Sequence, residues 1–185
     1  MNKQQDIELF ESLHAGFFER ESIKSMDSGE VFEEMLLALD AFDGEIYKRS
    51  FDESVTFGFF DGKTEDLLNA VASVDKDWVE FFGEGQRVYC GFIGGETASF
   101  CIVEDMGAHL YNGRKMKFGG IGCVGTLPKF RNRGIGLTMV SSATQILKNE
   151  GFDYSYIHFT AVAPWYERLG YRTILRWNAH GIINS

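Results

Sequence analysis

The passage Val124-Gly125-Thr126-Leu127-Pro128-Lys129-Phe130-Arg131-Asn132-Arg133-Gly134-Ile135-Gly136-Leu137 constrains this chain more than any other. Proline has no N–H to give to a sheet ladder, so Pro128 ends the β-prone run before it. From Gly136 the apolar residues Met139, Val140, Ala143, Ile146 and Leu147 recur along one face of a helix. Between strand and helix there is room only for a turn. A glycine-rich turn that opens a helix presents unpaired backbone N–H groups and the positive end of a dipole. Both favour an anion, most often a phosphate. Arg131 and Arg133 add donors suited to phosphate oxygens.

Two better-known phosphate loops are excluded. The loop of nucleotide hydrolases ends in Gly-Lys-Ser or Gly-Lys-Thr, which is absent here. The dinucleotide fingerprint needs three glycines and a later acidic ribose ligand, and only two glycines fit. Arg131-x-x-Gly134-x-Gly136, placed directly after a strand that ends in x-Pro, resembles the pyrophosphate-binding motif of the GNAT superfamily of N-acetyltransferases. Downstream, Ala163-Pro164-Trp165-Tyr166-Glu167-Arg168-Leu169-Gly170-Tyr171 is similar to that superfamily's Tyr-Glu-Lys-Leu-Gly-Phe helix. The resemblance runs from about residue 54 to residue 177. It implies an α/β fold, a mixed sheet with helices on both faces, with acetyl-CoA as co-substrate and no metal. The domain would span residues 51–185, after an N-terminal helical extension over residues 1–50.

Composition sets broader bounds. A chain of 185 residues, 44% apolar and 15% aromatic, can bury a full core as one globular domain. A net charge of −9 argues against nucleic acid or an anionic membrane as partner and is compatible with a cationic amine. Three cysteines, Cys90, Cys101 and Cys123, lack metal-type spacing and suit a reducing compartment. The opening Met-Asn-Lys-Gln-Gln-Asp has no apolar run of the signal-peptide kind, so a cytoplasmic location is expected.

In chain order, residues 6–18 read as a helix with Phe10, Leu13 and Phe17 on its sticky face and His14 beside them. Asp27 and Glu30 suggest a capping box before a second amphipathic helix carrying Phe32, Met35, Leu36, Leu39 and Phe42. These helices are expected to pack on the sheet, with a substrate lid or a homodimer contact as the alternatives. Residues 54–60 read as the first strand. Helices follow from Thr64 and over residues 75–82. Residues 87–93 and 97–104 form a hairpin through Gly94-Gly95. A loop or twisted hairpin tip follows over residues 105–117, with Asn112-Gly113 as its turn. The next strand, residues 119–127, holds four glycines, which leave room for a close neighbour such as the pantetheine arm. Gly151 ends the long helix, and residues 154–159, 163–169 and 171–177 alternate strand, helix, strand.

The resemblance also assigns roles. The strand backbone at Val124, Gly125 and Thr126 holds the thioester. The amides of Arg131, Asn132, Arg133, Gly134, Ile135, Gly136 and Leu137 hold the pyrophosphate. Tyr166 lies where the family places its general acid, and a phenol with a reference pKa of about 10 stays protonated at neutral pH. An amine acceptor arrives charged and needs a base. His158 titrates in a useful range, and Glu104 and Asp105 end a neighbouring strand. The residues leave that choice open, and His14, His109 and His180 show no partner in the sequence. An acyl-Cys123 route would need a base beside the thiol; the resemblance implies direct attack in a ternary complex. The acceptor would be a primary amine on a small molecule or a peptide, chosen by the N-terminal helices and the loop at 105–117. The rival reading is a non-catalytic acyl-CoA-binding module.

Overall fold

The computed structural model describes residues 3–51 and 54–183. Eight strands form one mixed sheet: β1 (Phe32–Ala38), β2 (Val55–Phe59), β3 (Val88–Ile93), β4 (Glu96–Tyr111), β5 (Arg114–Thr126), β6 (Tyr154–Thr160), β7 (Arg172–Asn178) and β8 (Gly181–Ile182). Their order across the sheet is β2-β3-β4-β5-β6-β1-β7-β8. Every pairing is antiparallel except β5 with β6, which run parallel and pair only over Phe118–Gly120 and Tyr154–Tyr156. Beyond those residues the two strands part, and the sheet opens as a fork.

The helices are α1 (Lys3–Leu13), α2 (Glu21–Lys24), α3 (Thr64–Ala72), α4 (Ile135–Asn149) and α5 (Ala163–Glu167), with short 3-10 turns between elements. One face of the sheet packs on α4, whose Leu137, Met139, Val140, Ala143 and Leu147 meet Met35, Val103, Ile121 and Ile157. The other face takes α1, whose Leu9 and Phe10 meet Leu36, Phe118, Tyr156 and Trp177. Burying a side chain of that size is worth about 1.5–3 kcal/mol, so both layers hold the sheet.

The expected second helix is instead β1, inserted between β6 and β7 at the heart of the sheet. Its apolar residues also suit a helical face, which is why the pattern misleads. Yet Met35 and Leu36, adjacent in sequence, are both buried on opposite faces. A strand covered on both sides shows no period-two alternation. Asp27 does not cap a helix; its carboxylate accepts from the Gly29 amide at 2.9 Å in the turn that leads into β1. The strand at residues 54–60 is therefore second in chain order. Of the two readings of residues 105–117 the hairpin tip holds: they are the shared end of the long β4–β5 hairpin, with Asn112 and Gly113 at its positive-φ turn. Residues 77–81 form a 3-10 turn, and α1 stops at Leu13. Gly151 does end α4: its φ is 83°, and the Phe152 amide returns to the Leu147 carbonyl at 3.1 Å.

Candidate active site

Gly134 precedes α4 as its cap, with a φ of 84° that only glycine adopts cheaply, and among the described residues no side chain caps the helix start. Asn132 is also left-handed, at φ 63°. Arg131 Nε donates to the Thr126 carbonyl at 3.0 Å, and Arg133 Nη2 donates to the Lys129 carbonyl at 3.3 Å. These bonds fold the turn back on the end of β5. A third cation, absent from the sequence reading, joins them. Arg49 lies against the turn, its Nη1 3.0 Å from where a Gly134 Cβ would stand. An uncapped helix start beside arginines suits phosphate oxygens. Gly136 lets α4 seat on β5, since a Cβ there would stand 2.5 Å from Thr126 Oγ1. Ile135 and Leu137 point inward and are buried.

The strand glycines answer mostly to the protein itself. A Cβ at Gly119 would strike Leu147 at 2.5 Å, one at Gly120 would strike Glu104 at 2.8 Å, and one at Gly125 would strike the Phe100 ring. Of the four β5 glycines, only Gly122 faces open space. Register places Gly120 beside Tyr156, so Gly122 and His158 are the next residues on the same face of the diverging strands. Between Gly122 and Gly125, Cys123 and Val124 stand opposite the single Cys101, a bulge in which Cys123 takes φ 46°. Gly125 and Thr126 pair with Phe100 and Ser99 on the β4 side.

A second bulge serves His158. Glu33 pairs with Thr160 and Met35 with Ile157, so His158 and Phe159 stand together opposite Glu34. Phe159 takes φ 57° and turns its amide to Glu34 Oε1 at 3.2 Å. His158 Nδ1 meets the two Glu34 oxygens at 3.0 and 2.9 Å, and Trp177 Nε1 donates to Oε1 at 2.7 Å. Glu34 is 0% exposed. With Nδ1–H donated to the carboxylate, the lone pair of His158 is left on Nε2. His14 stacks on His158, centroids 3.9 Å apart and planes 16° apart. Burial, then the charge of His158, Arg20 and His109, pushes the His14 pKa down to about 3.

Tyr166 is 6% exposed on α5. Burial first, then Tyr171, Cys101 and Cys123, raise its pKa well above the usual phenol value, so it stays protonated. Its hydroxyl makes no hydrogen bond among the described residues. Trp165, one residue earlier, reaches within 3.7 Å of the Gly136 Cβ position, which sets α5 beside the start of α4. Burial also pushes the Cys123 thiol up to about 11, with Glu104 and Asp75 adding to the shift. Glu104 is exposed beside Gly120. Asp105 accepts from the Gly107 amide at 2.8 Å and shapes the β4 bulge there. His109 bridges Ser12 Oγ at 3.0 Å and the Met106 carbonyl at 2.8 Å, tying α1 to β4.

The sequence offers His158, Tyr166 and the turn as candidates and leaves His14 without a partner; Glu34 and Arg49 are not among its candidates. A glutamate inside an apolar run was the available signal for Glu34; nothing local marks Arg49.

The comparisons agree with this architecture. The chain resembles a glucosamine N-acetyltransferase region, GCN5-related, of a fungal multi-domain GH3 β-N-acetylglucosaminidase, at 22% identity and a TM-score of 0.67 over 78% of this chain and 20% of that one. A GCN5-related N-acetyltransferase from Sphaerobacter thermophilus matches at 17% identity and TM-score 0.58, over 79% of this chain and 49% of that one. One from Kribbella flavida matches at 16% and 0.55, over 80% and 56%. The chain thus spans a fifth of the first protein and about half of the other two, and at these identities the likeness is one of fold. No protein among those with curated descriptions matches the sequence. Among the described residues no helix is long and apolar enough to cross a membrane. The model of the acetyltransferase (GNAT) domain matches residues 45–174, from before β2 into β7 and across the turn, the fork and α5, and the chain belongs to that family.

Proposed function

We propose that this chain is an N-acetyltransferase that moves the acetyl group of acetyl-CoA to a primary amine by direct attack at the β5–β6 fork. The observation that carries the reading is the fork itself. On one side stand the uncapped start of α4 and Tyr166; on the other stands His158, held by a buried carboxylate. The amides of residues 131–137, with Arg131, Arg133 and Arg49, would hold the pyrophosphate. The β5 backbone at Val124, Gly125 and Thr126, left without β6 beyond Gly120, would lie along the thioester. Acetyl-CoA supplies the activated acyl group.

The protein's part is proton handling. His158 Nε2 takes one proton from the arriving ammonium and passes it to solvent, which frees the nitrogen lone pair that bonds to the acyl carbon. As the carbon–sulfur bond breaks, the Tyr166 hydroxyl donates to the departing sulfur, and the second proton, released by the acylated nitrogen, returns to the tyrosine through solvent. The products are an N-acetyl amine and a free thiol. A Cys123 thiol held protonated by burial is a poor nucleophile, which favours direct transfer over an acyl-enzyme. Glu104, exposed at the edge of the same face, is placed to draw a cationic acceptor toward the fork.

Incubation with acetyl-CoA and a panel of primary amines, headed by glucosamine on the strength of the fungal relative, tests this. Free thiol and acetylated amine appearing in equal amounts are the expected result. A protein that binds coenzyme A yet acetylates no amine in a broad panel would instead be an acyl-CoA-binding module.

A further inference from the structure

The proposed base is enclosed by residues from outside the stretch that the family model matches. That stretch begins at residue 45, yet the His158 ring meets three aromatic side chains from α1 and the turn after it. His14 stacks on it with centroids 3.9 Å apart, Phe17 stands T-shaped to it at 5.1 Å and 75°, and Phe10 lies at 6.4 Å. The His14 amide donates to the Phe10 carbonyl at 2.8 Å, the last turn of α1. Gly16, at φ 69°, then reverses the chain, and the Phe17 amide donates to the His14 carbonyl at 3.0 Å. Both rings are thus returned to His158. The helix that carries them is pinned from its other end. The Tyr111 hydroxyl donates to the buried Asp6 carboxylate at 2.7 Å, and Arg172 Nη2 donates to that hydroxyl at 2.9 Å.

We infer that His14 and Phe17 are positioning residues for His158, packed so that its imidazole keeps Nε2 directed into the β5–β6 fork. The inference rests on the reading of His158 as the base. The ring torsion of a histidine has broad preferences of its own. The hydrogen bond from Nδ1 to Glu34 fixes one ring atom and leaves the ring free to swing about the line of that bond. A ring stacked on its face and a second at a steep angle block the swing, which the carboxylate alone does not. Proton transfer needs that control, because the base must meet the proton at hydrogen-bond distance and its rotamer must be locked by packing.

His14 can act this way only while uncharged, since a cation stacked on the ring would oppose the proton that His158 receives. Burial first, then His158, Arg20 and His109, lower its pKa from 6.5 to about 3, so at neutral pH the stacked ring carries no charge. The other titratable groups facing the pair are Glu34, which favours a proton on His158, and Tyr156, which burial and Glu34 keep protonated. His14 Nε2 is buried and bonds to nothing among the described residues. Its contribution is therefore the flat ring, and a phenylalanine can supply one.

The test measures amine-dependent thiol release from acetyl-CoA by the full chain, with glucosamine and n-butylamine as acceptors, at neutral and at high pH. His14→Leu fills similar space without a flat ring and should lower kcat up to about tenfold, on the scale of one aromatic pair, with KM for acetyl-CoA unchanged. His14→Phe should restore most of the rate. The loss in His14→Leu should shrink at high pH, where the amine arrives neutral, and should vanish when the same change is made in His158→Gln, because a residue that acts through another adds nothing once the other is gone. Phe17→Leu should show the same pattern and serves if His14→Leu does not fold. A His14→Leu loss that persists in the His158→Gln background, or that His14→Phe does not repair, makes His14 a packing residue and overturns this inference alone, as does a wild-type rate in both leucine variants. Equal rates in wild type and His158→Gln, or no acetylation of either amine, overturn the base reading and this inference with it.

Discussion

Glu34 and His158, 124 residues apart in the chain, meet across the β1–β6 pair with Nδ1 2.9 Å from the buried carboxylate. Two things bring them together: the bulge that sets His158 and Phe159 opposite Glu34, and the Trp177 indole that holds the carboxylate still. On the proposed reading the pair would hold the imidazole with Nδ1–H toward the carboxylate and Nε2 free toward the fork. Glu34→Gln keeps the shape and removes the charge. Turnover should fall about 10–100-fold, less than for loss of the base itself, with acetyl-CoA affinity unchanged by calorimetry. An equal loss of acetyl-CoA affinity would show that Glu34 supports the fold and not the histidine.

Tyr166→Phe removes a hydroxyl that bonds to no described residue, so the melting temperature should change little or rise. Turnover should fall by about 10²–10⁴, the usual worth of a positioned acid, and mostly in kcat, because the hydrogen bond strengthens only as charge reaches sulfur. Unchanged kcat under conditions where chemistry limits the rate would make Tyr166 a packing residue.

His14 should make the protein acid-sensitive. Its pKa is lowered from the usual 6.5 to about 3 in the fold, so between these values the unfolded chain binds the extra proton and the native state does not. Stability therefore rises with pH in that window and is lost as pH falls from about 6.5 toward 3. His14→Phe should lower the melting temperature less on going from pH 7.5 to pH 5 than the wild type does. An identical pH slope in both proteins would mean that His14 is not held neutral.

How far all this could be read from the sequence differs by element. The turn was legible because its chemistry is local: Pro128, Gly134 and Gly136 act within one strand–turn–helix unit, and the structure gives Gly134 its left-handed φ. The strand β1 was not legible, because Met35 and Leu36 are buried on opposite faces and the helical spacing of Phe32, Met35, Leu39 and Phe42 is incidental. That misreading hid Glu34, since in a helix it would lie on the exposed face. The partners of His14 were hidden for another reason. Its contact with His158 depends on how α1 docks across the sheet, and no spacing in the chain records that.

Arg49 gives a test of the phosphate turn that leaves its glycines alone. Arg49→Gln removes a cation beside Gly134 without straining a positive-φ position. Affinity for coenzyme A should fall about tenfold, on the scale of a charge-assisted hydrogen bond, and affinity for pantetheine, which lacks the pyrophosphate, should not change. An equal fall for both ligands would place Arg49 elsewhere than against phosphate.

On the proposed reading, an amine takes an acetyl group at the fork between β5 and β6 and gives its proton to His158. Amine-dependent thiol release from acetyl-CoA, compared between wild type and His158→Gln, tests it most directly. The variant should bind acetyl-CoA as the wild type does and turn over at least about 10²-fold more slowly at neutral pH, with part of the loss recovered at high pH where the amine arrives already neutral. Equal rates for the two proteins across the whole pH range would contradict it and place the chemistry somewhere other than the fork.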